Sequence, residues 1–388
     1  MKTKKIFISA GEKSGDIHGS NLIRQLYKKE PAARIYGLGG SRMIEAGLQC
    51  IHDMSSRSVM WLHTLGKIPE LWNIFTDCTR SFDEEKPDLV ILMDYAGFNF
   101  YLARAAKKRH IPVMYYISPQ LWAHAPWRVK KLKKLVDKMV LIYPFEEALF
   151  ANEGVPAKYV GHPLFDELLA RTVDEDFVSK IKQGENKTIV SLLPGSRTQE
   201  IKKLLPILLE TATVIHRNIP STGFILSCSN KNNLELINKF IKDHASANSH
   251  KLLPIDVVTE KVSEIIKASS LCISSSGTIA LEIAFYHVPM VICYRISRFH
   301  YFIAKPFMVT PYVCLVNKIA ERMVVPEILM YRDEYKWLAS RATDLLLNEE
   351  KRQTCIDGLK EVKSIIGAPG ASEKAADEAL SLIKSSIG

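Results

Sequence analysis

The chain has 388 residues, 47% of them hydrophobic and 24% charged, which excludes a disordered, collagenous or coiled-coil protein and allows two domains or three. Fifty-two Lys and Arg against forty-two Asp and Glu leave a formal charge of +10, which favours anionic partners (nucleic acid, phosphorylated substrates, an anionic membrane face) unless it serves solubility alone. No apolar run reaches the ~18–20 residues of a membrane span, and Ile6–Ala10 is too short for a signal-peptide core, so a cytoplasmic chain is expected.

The first strand is predicted over Lys5–Ser9 and runs into Ser9-Ala-Gly-Glu-Lys-Ser-Gly-Asp16, with a helix beginning near Asp16. Gly11 and Gly15 permit close backbone approach, and Glu12, Ser14, Asp16 and His18 bring polar and titratable groups to the strand's end. The spacing is neither G-x-x-x-x-G-K-[ST] nor G-x-G-x-x-G, and a glycine turn with an Asp cap is the purely structural alternative. A strand at Arg34–Gly37 follows. The stretch from Arg57 to Ile68 carries Trp61, Leu62 and Leu65, unusually apolar for a loop, ahead of a helix that Pro69 can start. Strand Leu89–Met93 ends on Asp94-Tyr-Ala-Gly-Phe-Asn99, where Asp94 suits a general base and Asn99 could position a sugar hydroxyl. Strand Val113–Ile117 leads into Tyr115-Tyr-Ile-Ser-Pro-Gln-Leu-Trp122, and Lys130, Lys131, Lys133 and Lys134 form a basic face. Strands Lys138–Ile142 and Lys158–Val160 close the first series; His162, just beyond, either binds ligand or closes a turn.

Thr172–Lys187 reads as a linker or connecting helix, after which the pattern restarts. Strand Thr188–Leu193 ends on Leu193-Pro-Gly-Ser-Arg197, with a helix from about Gln199. Gly195 and Ser196 offer backbone N–H groups at a helix N-terminus and Arg197 adds a fixed cationic fork, a combination suited to a diphosphate. Strands Gly223–Cys228, Ile255–Val258 and Leu271–Ser274 follow, the last ending on Ser274-Ser-Ser-Gly-Thr278. Ser276, Gly277 and Thr278 make a second anion cradle, and Glu282, four residues on, can accept from ribose hydroxyls; a Ser-rich cap with a surface Glu is the alternative. Strands Met290–Tyr294 and Tyr312–Val316 bracket Arg298–Phe307, which mixes aromatic and basic residues as a membrane-facing surface would. From about Asp333 the chain is helical.

Most of these strands are apolar on consecutive residues, as parallel strands covered on both faces are. Two such series imply two doubly wound α/β domains facing each other across a cleft, with boundaries at 1–171 and 172–332 and C-terminal helices over 333–388. The seven scattered Cys form no C-x-x-C pair and indicate neither a zinc site nor a disulfide framework. The residues by themselves reach a protein whose second half binds a nucleoside diphosphate and whose first half presents acids to it, the GT-B layout of a nucleotide-sugar glycosyltransferase.

The sequence also resembles the lipid-A-disaccharide synthase family. The matching residues are Ala10-Gly-Glu-Lys-Ser-Gly-Asp16, Gly37-Leu-Gly-Gly40 with Met43 and Gly47, Asp94 with Phe98-Asn99, and Tyr116-Ile-Ser-Pro-Gln120 with Trp122. Pro144-Phe-Glu146, Val160-Gly-His-Pro-Leu164 with Asp166, Leu193-Pro-Gly-Ser-Arg197, and Ser276-Gly-Thr278 with Glu282 continue the match. It ends with Pro289-Met290, Tyr294, Asn317 and Val325-Pro-Glu327, so it spans residue 6 to about 330. Where many members carry a second acid in D-x-P-D-F-N, this chain has Gly97; Met330 and Val316 also depart from the pattern.

The resemblance implies an inverting transfer from UDP-2,3-diacylglucosamine to 2,3-diacylglucosamine 1-phosphate. Asp94 is then the expected base, with Glu12 or Asp16 as substitute, and Arg197 stabilises the leaving diphosphate. Gly195, Ser196, Ser276, Gly277, Thr278, Glu282, Asn317, Ser14, Asn99 and His162 would contact substrates. No D-x-D motif lies beside these loops, so neither a metal nor another cofactor is expected. No nucleic-acid partner is expected either. The loop at Trp61–Leu65 and the basic surface would meet acyl chains or the inner face of the inner membrane, and an oligomer is allowed. A UDP-GlcNAc-using epimerase or transferase of the same fold, or a non-catalytic lipid- or UDP-binding relative, is the alternative.

Overall fold

The computed structural model describes residues 3–54, 68–119, 129–184, 188–247, 253–304 and 310–385. The loop at Trp61–Leu65, Gln120, Trp122 and the end of the Arg298–Phe307 segment lie outside the described residues. Its contacts divide the chain into two compact units, Met1–Glu167 with Ala368–Gly388, and Leu168–Gly367.

The first unit is built on a seven-stranded sheet in the order β3-β2-β1-β4-β5-β6-β7, every pairing parallel. Its strands are β1 (Lys5–Ala10), β2 (Arg34–Gly39), β3 (Gln49–Asp53), β4 (Leu89–Met93), β5 (Val113–Tyr116), β6 (Lys138–Leu141) and β7 (Ala157–Tyr159). All five residues of β4 and all four of β5 are buried, which is why these runs read as continuously apolar. Helices Lys13–Lys29, Ile68–Glu85 and Ala96–Lys108 belong to the same unit, where Phe7 packs edge-on against both Tyr36 and Phe82. The strand order turns around between β1 and β4, so the loops leaving these two strands diverge and leave a crevice between them.

The second unit has six parallel strands in the order β10-β9-β8-β11-β12-β13: β8 (Thr188–Leu193), β9 (Thr222–Cys228), β10 (Ile255–Thr259), β11 (Leu271–Ser275), β12 (Met290–Arg295) and β13 (Glu327–Met330). Its turnaround lies between β8 and β11, with Leu193 in register with Ser274. Both units are thus Rossmann-like, in keeping with the two-series pattern of the sequence.

Two assignments differ from the sequence pattern. Strand β3 was not expected, because Gln49-Cys-Ile-His-Asp53 lacks an apolar run; it pairs on one side only, against β2, and stays half-exposed at the edge. The predicted strand Tyr312–Val316 is not one. The Glu327 carboxylate accepts from the backbone N–H of Val313 (2.9 Å) and Cys314 (2.7 Å), and a helix, Leu315–Ala320, begins at once. The last strand is instead β13, on the other side of that helix. The segment expected as a linker or connecting helix does contain a helix, Glu175–Lys182, whose first turn Asp174 caps through the Phe177 N–H.

The C-terminal segment divides. Helices Tyr335–Leu347 and Glu349–Ile366 pack in the second unit, whereas Ala371–Ser385 belongs to the first and lies on helix Lys13–Lys29. Asp166 holds that last helix by accepting from the N–H groups of Gly370 (2.6 Å) and Ser372 (3.1 Å). Contacts therefore change units at Glu167/Leu168 and again at Gly367/Ala368, not at 171/172 and 332/333. Among the described residues no helix is long and apolar enough to cross a membrane.

Candidate functional site

In the first unit the crevice between β1 and β4 gathers the most chemistry. Asp94 and Tyr95, directly after β4, both have left-handed backbone conformations, φ +50° and +37°. Each such residue costs of order 1–2 kcal/mol, so the turn needs support from its surroundings. Asn99 supplies it: its amide nitrogen donates to the carbonyls of Met93 (2.8 Å) and Asp94 (3.0 Å), and its oxygen accepts from Ser9 on β1 (2.8 Å). The Tyr115 hydroxyl donates to the same Asp94 carbonyl. Asn99 is fully buried and its amide is committed to these bonds, so it braces the Asp94 turn and has no free group for a sugar hydroxyl.

The glycines of the Ala10–Asp16 motif exist to receive this turn. A Cβ on Gly15 would stand 2.8 Å from Asp94 Oδ2, and one on Gly11 2.7 Å from the Tyr95 ring. Asp94 Oδ2 is buried without a hydrogen-bond partner. Burial, and secondarily the negative charge of Glu12, push its carboxyl up to about 6, with His18 opposing. A carboxylate poised there, with one oxygen unclaimed, is equipped to take a proton near neutral pH.

The neighbouring acids divide by role. Glu12 is exposed and makes no ion pair among the described residues. Asp16, expected as a substitute base, is a cap: its two oxygens accept from the N–H groups of Gly40 (2.9 Å), Met43 (3.0 Å) and Arg42 (3.2 Å), fixing the short helix Ser41–Glu45. Removing Asp16 from the candidate bases leaves Asp94 and Glu12. Ser14 lies exposed on the first turn of helix Lys13–Lys29.

His18 Nδ1 lies 3.0 Å from Glu167 Oε1, an ion-pair distance without hydrogen-bond alignment, and its ring stands edge-on to His162 at 6.4 Å. His162 is buried; burial, with His18 assisting, holds it down at about 3, so it is neutral. Its Nδ1 accepts from the Leu164 N–H (3.2 Å) while Nε2 is buried without a partner. Both readings of His162 are thus represented: one nitrogen closes the turn, the other is unclaimed. Sequence reasoning missed Glu146 as a structural device. At 1% exposure burial raises it to about 8, and it accepts from Ser118 and from the Tyr143 N–H (3.4 Å), tying down the loop after β5. A Glu inside an apolar helical turn was the available signal.

In the second unit the two turns suited to anions, 80 residues apart in sequence, come together because β8 and β11 are neighbours. Gly195 has φ +106°, and a Cβ there would meet Glu200 Oε2 at 2.3 Å. Glu200 accepts from the Arg197 N–H (3.3 Å) and pairs with its guanidinium (3.2 Å) at the head of helix Thr198–Asn218. Arg197 remains 59% exposed. Across the crevice, Ser276 donates to the Val313 carbonyl (2.8 Å), and a Cβ on Gly277 would meet nothing within 4 Å. Open space therefore lies over Gly277, beside Thr278, whose side chain makes no cap bond.

Two expected ligand contacts in this unit are engaged within the protein. Glu282 is buried and accepts from Ser263 (2.6 Å) and Arg171 (3.0 Å). Asn317 is fully buried; its oxygen accepts from the N–H groups of Val324 (2.7 Å) and Val325 (2.9 Å), and its nitrogen donates to the Val325 carbonyl (2.9 Å). Asn317 is a clamp on the turn before β13, with no bonding capacity turned outward. Among the described residues, no three His, Cys, Asp or Glu side chains are grouped to hold a metal ion.

Comparison with known proteins bears on this arrangement. The profile of a family described as lipid-A-disaccharide synthetase matches residues 6–381. A lipid-A-disaccharide synthase of Syntrophus aciditrophicus is 35% identical, covering 100% of both chains, and one of Geobacter metallireducens is 33% identical over 98% of this chain and 97% of its own. Among solved structures, UDP-GlcNAc 2-epimerase from Neisseria meningitidis bound to UDP-GlcNAc superposes with a TM-score of 0.62 at 15% identity, covering 98% of this chain and 100% of that one. Likeness at that identity shows the fold alone, the two-unit parallel α/β architecture of the GT-B type.

Proposed function

The chain belongs to the lipid-A-disaccharide synthetase family, glycosyltransferases of lipid A biosynthesis, and from that premise we propose that it joins UDP-2,3-diacylglucosamine to 2,3-diacylglucosamine 1-phosphate with inversion. The observation that carries the chemistry is the half-buried Asp94 at the turnaround of the first sheet, whose Oδ2 is buried without a hydrogen-bond partner. Asp94 takes the proton of the acceptor 6-hydroxyl as that oxygen bonds to the donor's anomeric carbon. The bond from this carbon to the diphosphate breaks, and UDP leaves with the electron pair. The products are a β-1,6-linked disaccharide 1-phosphate and UDP. Arg197, with the backbone of Gly195 and Ser196 at the head of a 21-residue helix, is suited to the charge growing on the diphosphate. Ser276, Gly277 and Thr278 complete that cradle.

Arg197→Ala lowers kcat by ~10²–10³-fold, the size expected for losing one preorganised charge at the leaving group. Its stability changes little, because among the described residues its ion pair is a surface contact with Glu200. The measurement is mass-spectrometric detection of the disaccharide 1-phosphate from both acylated substrates, with EDTA in a parallel arm. Full activity in the Arg197→Ala variant, or loss of wild-type product on EDTA treatment, counts against this mechanism.

Peripheral binding to the inner face of the inner membrane is part of the same proposal. Phe299 and Phe302 are 71% and 57% exposed on helix Arg298–Ala304, alongside Arg298, a basic aromatic surface of the kind that seats in anionic headgroups. Exchanging both Phe for Ser weakens sedimentation with anionic phospholipid vesicles several-fold while leaving UDP binding intact. Unchanged sedimentation removes this helix from the membrane contact.

A further inference from the structure

Beside the Asp94 turn, within the first unit, lies a cavity of about 250 Å³ bounded by Glu12, Ile17, Ser41, Arg42 and Met54. It falls below the ~300–1,000 Å³ typical of sites that enclose drug-sized molecules, a size suited to a single sugar ring. Three charged side chains line it, and the hydrogen bonds decide which are available. Asp16 spends both oxygens on the N–H groups of Gly40, Arg42 and Met43. Glu12 and Arg42 are exposed, and among the described residues neither makes an ion pair with the other or with a third group. Among the described residues the cavity therefore offers one guanidinium and one carboxylate without an ion-pair partner, over an apolar floor of Ile17 and Met54.

We infer that this cavity binds a sugar phosphate, with the phosphate on Arg42 and ring hydroxyls on Glu12. A ligand charged at one end and hydroxylated at the other matches the division of charge in the walls. A planar guanidinium takes two phosphate oxygens at once. The Arg42 backbone is pinned by Asp16 while its side chain reaches solvent, so the fork is anchored at its root and free at its tip. The loop of Gly11 and Glu12 that walls the cavity continues into Gly15, against which the Asp94 carboxylate packs. A sugar held by its phosphate at Arg42 thus lies against the same loop that the Asp94 turn packs on. This rests on the transferase reading, in which the acceptor is a glucosamine 1-phosphate, and assigns that acceptor's headgroup to a place.

The test is an NMR titration of the full chain with glucosamine 1-phosphate and, separately, with glucosamine, for wild type, Arg42→Ala and Arg42→Lys. The expected result is that Arg42→Ala weakens glucosamine 1-phosphate binding about tenfold or more, that Arg42→Lys restores part of it, and that glucosamine binds all three alike. No binding of glucosamine 1-phosphate by the wild type, equal affinity in Arg42→Ala, or equal loss of both ligands overturns the assignment. The titration needs no turnover. A wild type that binds as expected but makes no disaccharide counts against the transferase reading and leaves this site standing.

Discussion

Asp94→Asn abolishes measurable disaccharide formation, a loss of ~10²–10⁴-fold for a missing general base, and at the same time makes the protein more stable at pH 8. The two effects share one cause. Burial raises the Asp94 carboxyl from its ordinary value to about 6, so the folded protein binds that proton more tightly than the unfolded chain does. The folded state is favoured below about pH 4, and that advantage is lost as pH rises through about 6; above it the wild type carries the full cost of a buried carboxylate, up to about 3 kcal/mol. Asn has no such cost and tolerates the left-handed backbone at this position, φ +50°, better than Ala, so the fold is preserved. Thermal unfolding of both proteins from pH 4 to pH 8 therefore shows Tm values that separate between about pH 4 and pH 6 and stay apart above that. The wild-type kcat/KM should fall on the acid side with an apparent pKa near 6. An Asp94→Asn variant that keeps activity would pass the base role to Glu12, since Asp16 is tied up as a cap.

Asn317→Leu is the second large effect, and it falls on stability. Leucine fills a similar volume but strands the N–H groups of Val324 and Val325 and the Val325 carbonyl inside a fully buried site. At ~1–3 kcal/mol for each buried group left unsatisfied, the expected loss is about 3–5 kcal/mol, or roughly 10 °C in Tm. The result separates two roles for this residue. A clamp gives a large fall in Tm, with UDP affinity unchanged in the fraction that remains folded. A ligand contact gives normal stability and weak UDP binding. Urea unfolding monitored alongside UDP titration reads both.

Much of the architecture is legible in the chain. Runs such as Leu89–Met93 and Thr188–Leu193 are apolar on every residue because both faces of a parallel strand are covered, so two doubly wound units could be read from the chain alone. The turns that follow β1, β4, β8 and β11 could be found too, because Gly, Asp, Ser and Arg interrupt those runs at their carboxyl ends. Strand β3 could not: an edge strand pairs on one side only, and its residues need no apolar pattern. Nor could β13 be distinguished from Tyr312–Val316, since both are short and largely apolar. What chose between them was the Glu327 side chain, which takes the backbone N–H groups that a strand would have needed.

Hydrogen-bond partners were decided by tertiary structure. Asp16, Asn99, Glu282 and Asn317 have the right chemistry for ligand contacts and sit close to the right loops. Whether a carboxylate or amide faces a substrate or its own backbone depends on which N–H groups the fold brings within 3 Å, and sequence spacing does not carry that. The same holds for Asp94, which was visible in the chain but whose raised pKa comes from burial against the segment that follows β1. Strand order, set by which edges pair, brought the Asp94 turn to Gly15 and the Arg197 turn to Gly277.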